Sequence, residues 1–69
     1  MYLVIQDGEP SVAKALDDEL RQGVENDGVL VFRVVNGNFE LLEVTSGPVL
    51  DDDGNETDDI EFSDDWFVV

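Results

Sequence analysis

The chain has no cysteine and no histidine, and only three basic residues, Lys14, Arg21 and Arg33. Without cysteine there are no disulfides and no thiol nucleophile, and without histidine there is no imidazole base. Together the two absences remove the usual zinc ligand sets. Lack of cysteine fits a reducing compartment, and a cytoplasmic location is the expectation. Long apolar runs are missing too, and nothing approaches the roughly 20 residues that span a bilayer. The N-terminus, MYLVIQDGE, has no basic region of the kind that opens a signal peptide.

What the chain has instead is negative charge. Eighteen acids leave a net charge of -15 on 69 residues. Such a chain is repelled by nucleic acid and anionic membranes and drawn to basic surfaces. At 42% the hydrophobic content is nonetheless too high for a disordered chain. The length allows one domain, residues 1–69, with a marginal core.

Local patterning gives the elements. Met1–Gln6 is short, β-branched and apolar, and reads as a strand ended by Asp7-Gly8. In EPSVAKALDDELRQG, Pro10 suits a first helical turn. Val12, Ala13, Leu16 and Leu20 recur at helical spacing, and Gly23 is a stop. That helix would carry i,i+4 pairs Lys14–Asp18 and Asp17–Arg21. The clearest signal is VLVFRVVNGNFELLEV. Asn36-Gly37 between two β-rich runs predicts a two-residue hairpin with Arg33 opposite Glu40. One hairpin face holds Leu30, Phe32, Val34, Phe39 and Leu41 and is assigned to the core, with Leu16, Leu20, Phe62 and Trp66. The other face, with Val29, Val31, Leu42 and Val44, is too apolar to be bare and allows a homodimer as well as a monomer. TSGPVLDDDGNETDD reads as loop. IEF is a short alternating segment and WFVV a last strand. The order predicts an α+β domain, an antiparallel sheet of about four strands with one helix packed on a face.

Charge is uneven along the chain. Residues 1–50 hold nine acids and three bases, whereas residues 51–69 hold nine acids and no base. Apolar Ile60, Phe62, Trp66, Phe67, Val68 and Val69 lie among these acids. In a strand, alternate side chains stand about 6.6 Å apart on one face, close to the phosphate step along one DNA strand. Asp59, Glu61 and Ser63 or Asp65 would then share a face while Ile60 and Phe62 turn to the core. Folding would hold the carboxylates in a fixed array that Arg and Lys of a partner grip as they grip phosphates. The candidate contacts are Asp52, Asp53, Glu56, Asp58, Asp59, Glu61, Asp64 and Asp65, extended by Asp17, Asp18 and Glu25 on the helix.

A small, cysteine-free, strongly acidic folded chain resembles the DNA-mimic inhibitors of phages and mobile elements. Anti-CRISPR, anti-restriction and uracil-DNA glycosylase inhibitor proteins are of this kind. The resemblance is in size and charge over the whole chain rather than in an aligned motif. Leu3–Asp7, LVIQD, is similar to a strand of the glycosylase inhibitor, at the opposite end of that chain. The resemblance implies stoichiometric binding without catalytic residues or cofactors. It also implies, as partner, a basic nucleic-acid-binding protein such as a CRISPR effector subunit whose PAM-reading surface places Arg or Lys at duplex DNA. A phage-encoded inhibitor would act in the host cytoplasm.

Three other readings compete. One lysine, many Asp and Val and few Ile resemble proteins of extreme halophiles, whose acids form a solvated surface. DDIEFSDDWF, residues 58–67, resembles acidic-aromatic segments that dock aromatic anchors in basic grooves. Asp51, Asp53, Asn55, Thr57 and Asp59 alternate like calcium-loop ligands. Glycine is misplaced for such a loop, however, and Phe62 stands where a bidentate Glu belongs, so an Asp-rich turn is expected. Catalysis needs a cleft with shifted carboxylates, which a chain this short scarcely encloses, and no enzyme activity is expected.

Overall fold

A computed structural model describes residues 1–69. Strands β1 (Tyr2–Gln6) and β2 (Glu9–Ala13) precede the helix α1 (Asp18–Asn26). Strands β3 (Leu30–Val35), β4 (Asn38–Leu50) and β5 (Glu56–Val68) follow it. They form one antiparallel sheet in the order β2-β1-β3-β4-β5. The expectation of an α+β domain with about four strands is overturned. The protein is mostly antiparallel sheet, with five strands and a single nine-residue helix.

The extra strand comes from the segment read as the start of the helix. Asp7 and Gly8 both take left-handed backbone, φ 54° and 76°, the geometry of a two-residue hairpin turn. They set Gln6 opposite Glu9 and Ile5 opposite Pro10. Pro10 cannot donate a ladder hydrogen bond, but β2 is an edge strand, where proline is tolerated. The helix begins only at Asp18, and Asp17 before it is the N-cap, its Oδ1 accepting the Leu20 N–H at 2.8 Å. Gly23 is therefore inside the helix rather than its stop. The chain leaves the helix at Asp27 and turns at Gly28, φ 71°. The i,i+4 pairs expected of a longer helix do not form, and Arg21 pairs with Asp18 instead.

The second hairpin has the expected register. Asn36 and Gly37 take φ 51° and 81°, and Arg33 lies opposite Glu40 with Nε donating to Oε1 at 2.7 Å.

Its core face, however, is the opposite of the one assigned. The buried cluster is Val4, Val29, Val31, Leu42 and Val44, with Leu16, Leu20, Val24, Phe62 and Trp66 packed around it. Leu30, Phe32, Val34, Phe39 and Leu41 lie on the other face, where Phe39 is 54% and Val34 60% exposed. Helix geometry supplies the reason. Gly23 brings the helix so close to the sheet that an added Cβ would stand 3.0 Å from Val29 Cγ2. A row of valines admits this approach, and bulky Phe32 and Phe39 would not. Because both hairpin faces are apolar, alternation alone did not choose between them.

Strand β4 continues through Ser46, Gly47 and Pro48, the segment read as loop, and pairs with β5 as far as Leu50 opposite Glu56. β3 pairs with β4 only from Asn38 to Leu41. Beyond its root, β4–β5 is therefore a two-stranded ribbon standing out from the sheet. The molecule measures 44 × 26 × 19 Å with a radius of gyration of 14.0 Å, against about 11 Å for a compact chain of this length.

Candidate functional site: the acidic ribbon

Four hydrogen bonds build the ribbon tip. The Asp51 N–H donates to the Asn55 carbonyl at 2.8 Å, and the Gly54 N–H to the Asp51 carbonyl at 3.0 Å. Asp51 Oδ1 also accepts the N–H groups of Asp53 and Asn55, at 3.0 and 2.8 Å. Asp51 is thus the turn's internal acceptor, and Gly54 supplies the positive φ of 80° that closes it. Asp52 and Asp53 project from this tip into solvent. Asp51, Asp53, Asn55, Thr57 and Asp59 form a turn and a strand start rather than a convergent ligand set. No group of three or more acids comes together in a metal-holding arrangement.

Past the tip, β5 carries Glu56, Asp58, Asp59, Glu61, Asp64 and Asp65. A bulge interrupts the ladder between Pro48 and Leu50, so strict alternation does not reach Asp58 and Asp59. Thr57 anchors the bulge, its hydroxyl donating to the Val49 carbonyl at 2.7 Å and accepting the Asp59 N–H at 3.3 Å. From Ile60 onward the register is regular. Glu61, Ser63 and Asp65 lie opposite Gly47, Thr45 and Glu43 on the face away from the helix. Phe62 and Trp66, on the helix face, pack against the core, as the alternation requires. Ile60 is 57% exposed and belongs to the ribbon rather than the core.

Glu61 and Asp65 are thus brought together, about 13 Å apart by strand geometry. Asp64 is not part of their row. It points to the helix face, where the Arg21 Nε donates to both its oxygens at 3.0 and 3.1 Å. Arg21 Nη1 also meets Asp18 Oδ1 at 3.0 Å. These bonds, that to Asp64 foremost, raise the Arg21 pKa, although burial works against them. Asp17 is occupied as the helix cap, while Asp18 stays 76% exposed at its side chain. Glu25 Oε1 accepts the Ser46 hydroxyl at 2.6 Å, tying the helix to the ribbon root. Sequence reasoning missed Glu43, which faces Asp65 across the ladder. Residues 45–59 read as loop in the sequence, so the register that joins Glu43 to Asp65 is out of sight there.

Electrostatically the ribbon is one-signed. Of the three bases, Arg21 is held by Asp18 and Asp64, and Arg33 by Glu40. Lys14 belongs to no pair and lies in the β2–α1 connection. Asp52, Asp53, Glu56, Asp58, Asp59, Glu61, Glu43 and Asp65 meet no base, and all are exposed.

The aromatic residues of the last strand divide between the two faces. Trp66 lies over the core side, stacked on Tyr2 at 5.9 Å between ring centroids. The Arg33 guanidinium carbon sits 4.1 Å from its centroid. Phe67 is on the opposite face and 52% exposed. No known protein family, curated protein or solved structure matches the chain, and no helix is long and apolar enough to cross a membrane.

Proposed function

We propose that the protein is a stoichiometric inhibitor that presents the β4–β5 ribbon to the nucleic-acid-binding surface of a basic protein. The observation that carries this reading is the ribbon itself. Its unpaired carboxylates are exposed, clustered on a projecting hairpin and ordered by a hydrogen-bonded turn and a paired strand. Glu61 and Asp65, in line on one face, space charge at multiples of about 6.6 Å. A partner's Arg and Lys grip carboxylates through the charge-assisted hydrogen bonds they otherwise make to phosphates. An array ordered before binding loses less entropy on capture than a flexible tail does. Among basic targets, a PAM-reading surface of a CRISPR effector fits best, because it places Arg at duplex DNA.

Two measurements test this. Thermal melts at low, physiological and molar salt come first. A cooperative transition at physiological salt is expected, and folding only near molar salt would assign the acids to halophilic solvation and overturn the reading. DNA-binding assays on a panel of CRISPR effectors and restriction enzymes follow. Loss of DNA binding at equimolar inhibitor is the expected result for the target. Unimpaired DNA binding throughout, in excess protein, counts against mimicry.

A further inference from the structure

We infer that the uncovered face of the sheet is a self-association surface, and that two copies pack face to face through it. This goes beyond the inhibitory reading and does not rest on it. The sheet has two faces, and the helix covers one. On the other, Leu3, Ile5, Phe32, Phe39 and Val69 line one shallow concavity with no polar residue among them. Val34, opposite Phe39, extends it. More large apolar side chains lie on this open face than in the five-residue buried core. An antiparallel sheet usually turns a polar face to water, and two apolar faces call for two covering layers.

The distribution of charge says what the second layer is. In a chain of eighteen acids, none falls within this patch. A basic partner would be matched by carboxylates among the apolar positions. A like-charged copy requires their exclusion. Acids on this face begin only at Glu43 and Asp65, toward the ribbon. If the two-fold axis lies in the interface and across the strands, apolar ends overlap and the ribbons point in opposite directions. The like charges are then as far apart as the 44 Å long axis permits.

Area sets the strength. Four strands about 4.8 Å apart, over about five residues at about 3.3 Å, give the patch a footprint of about 300 Å². Two such faces bury about 600 Å², the size of a weak, transient interface rather than an obligate one. The dimer is therefore expected at high protein concentration. Because the copies repel, salt should tighten it. Salt would weaken capture of a basic target, so the two associations are told apart by the sign of their salt dependence.

Sedimentation equilibrium of the full chain, over protein concentration and from low to half-molar salt, is the test. Twice the monomer mass, with dimerisation strengthened by salt, is expected. Phe39→Asp should weaken the dimer by more than about a hundredfold while circular dichroism shows the fold retained. Val68→Asp adds the same charge at a site 67% exposed and paired beside Glu40, off this face, and should leave the dimer intact. A wild-type chain that stays monomeric at all concentrations and salts overturns the inference. So does equal weakening by the two variants. Monomeric protein whose patch is covered only by a foreign protein would also overturn it, and would leave the inhibitory reading standing.

Discussion

Glu43 and Asp65 stand directly opposite each other across β4 and β5. Like charges in that position destabilise a ladder by about 0.2–1 kcal/mol. Neither has a basic partner to offset this. The pair is a local cost to folding, and it lies where the ribbon joins the body.

Replacing Glu43 with Lys should therefore stabilise the domain, by up to about 1 kcal/mol. For a chain this size that raises Tm by about 4–8 °C. The same variant should weaken capture of a basic target, so stability and binding move in opposite directions. A melt paired with a binding titration checks both, and a lowered Tm would contradict the pairing.

Reversing Asp58, Asp59 and Glu61 to Lys together should abolish target binding and spare the fold. All three are exposed and none makes a side-chain hydrogen bond or ion pair. Equal affinity in the triple variant would place the contact elsewhere on the molecule.

Arg33 links three elements, through Glu40 at 2.7 Å and the Trp66 ring at 4.1 Å. Arg33→Ala should cost about 1–2 kcal/mol, summing a part-exposed ion pair and a cation–π contact. Arg33→Met keeps much of the packing and should recover part of the loss. Chemical denaturation resolves the two contributions.

Gly23→Ala should destabilise, although alanine is ordinarily the better helix former by about 1 kcal/mol. The new methyl meets Val29 Cγ2 at 3.0 Å, and Val29 is 4% exposed with little room to move. At Gly47 an added Cβ meets nothing within 4 Å, so Gly47→Thr should stabilise by a few tenths of a kcal/mol. Urea midpoints of the two variants should fall on opposite sides of the wild type.

The Asn36-Gly37 hairpin was legible because turn chemistry and flanking strands agreed over few residues. Asp7-Gly8 carried the same signal, but Pro10 and the spacing of Val12, Ala13, Leu16 and Leu20 pointed to a helix. In the fold, strand pairing claims the first two, and the helix retains only Leu20 within its span. The fate of Ser46, Gly47 and Pro48 was hidden because their strand depends on β5, distant in sequence. The sheet face chosen by the helix was hidden for a related reason, since it rests on the fit of Gly23 to Val29. Of the candidate site, clustering of acids after Leu50 and the alternation of Glu61 and Asp65 could be read directly. The diversion of Asp64 to Arg21, and the recruitment of Glu43, required the tertiary register.

The sheet ends at β2 and β5, and each leaves an outer row of backbone N–H and C=O groups unpaired. Such rows recruit further strands edge to edge, the first step to fibres. Along β5 the unpaired acids at Glu56, Asp58, Asp59, Glu61 and Asp65 fence that row, and Glu9 and Pro10 do so on β2. The carboxylates proposed to engage a target thus also keep the edges apart. That protection is a function of acidity. Near the isoelectric point of about 4.1 the mutual repulsion vanishes, and mild acid should drive the chains to assemble edge to edge.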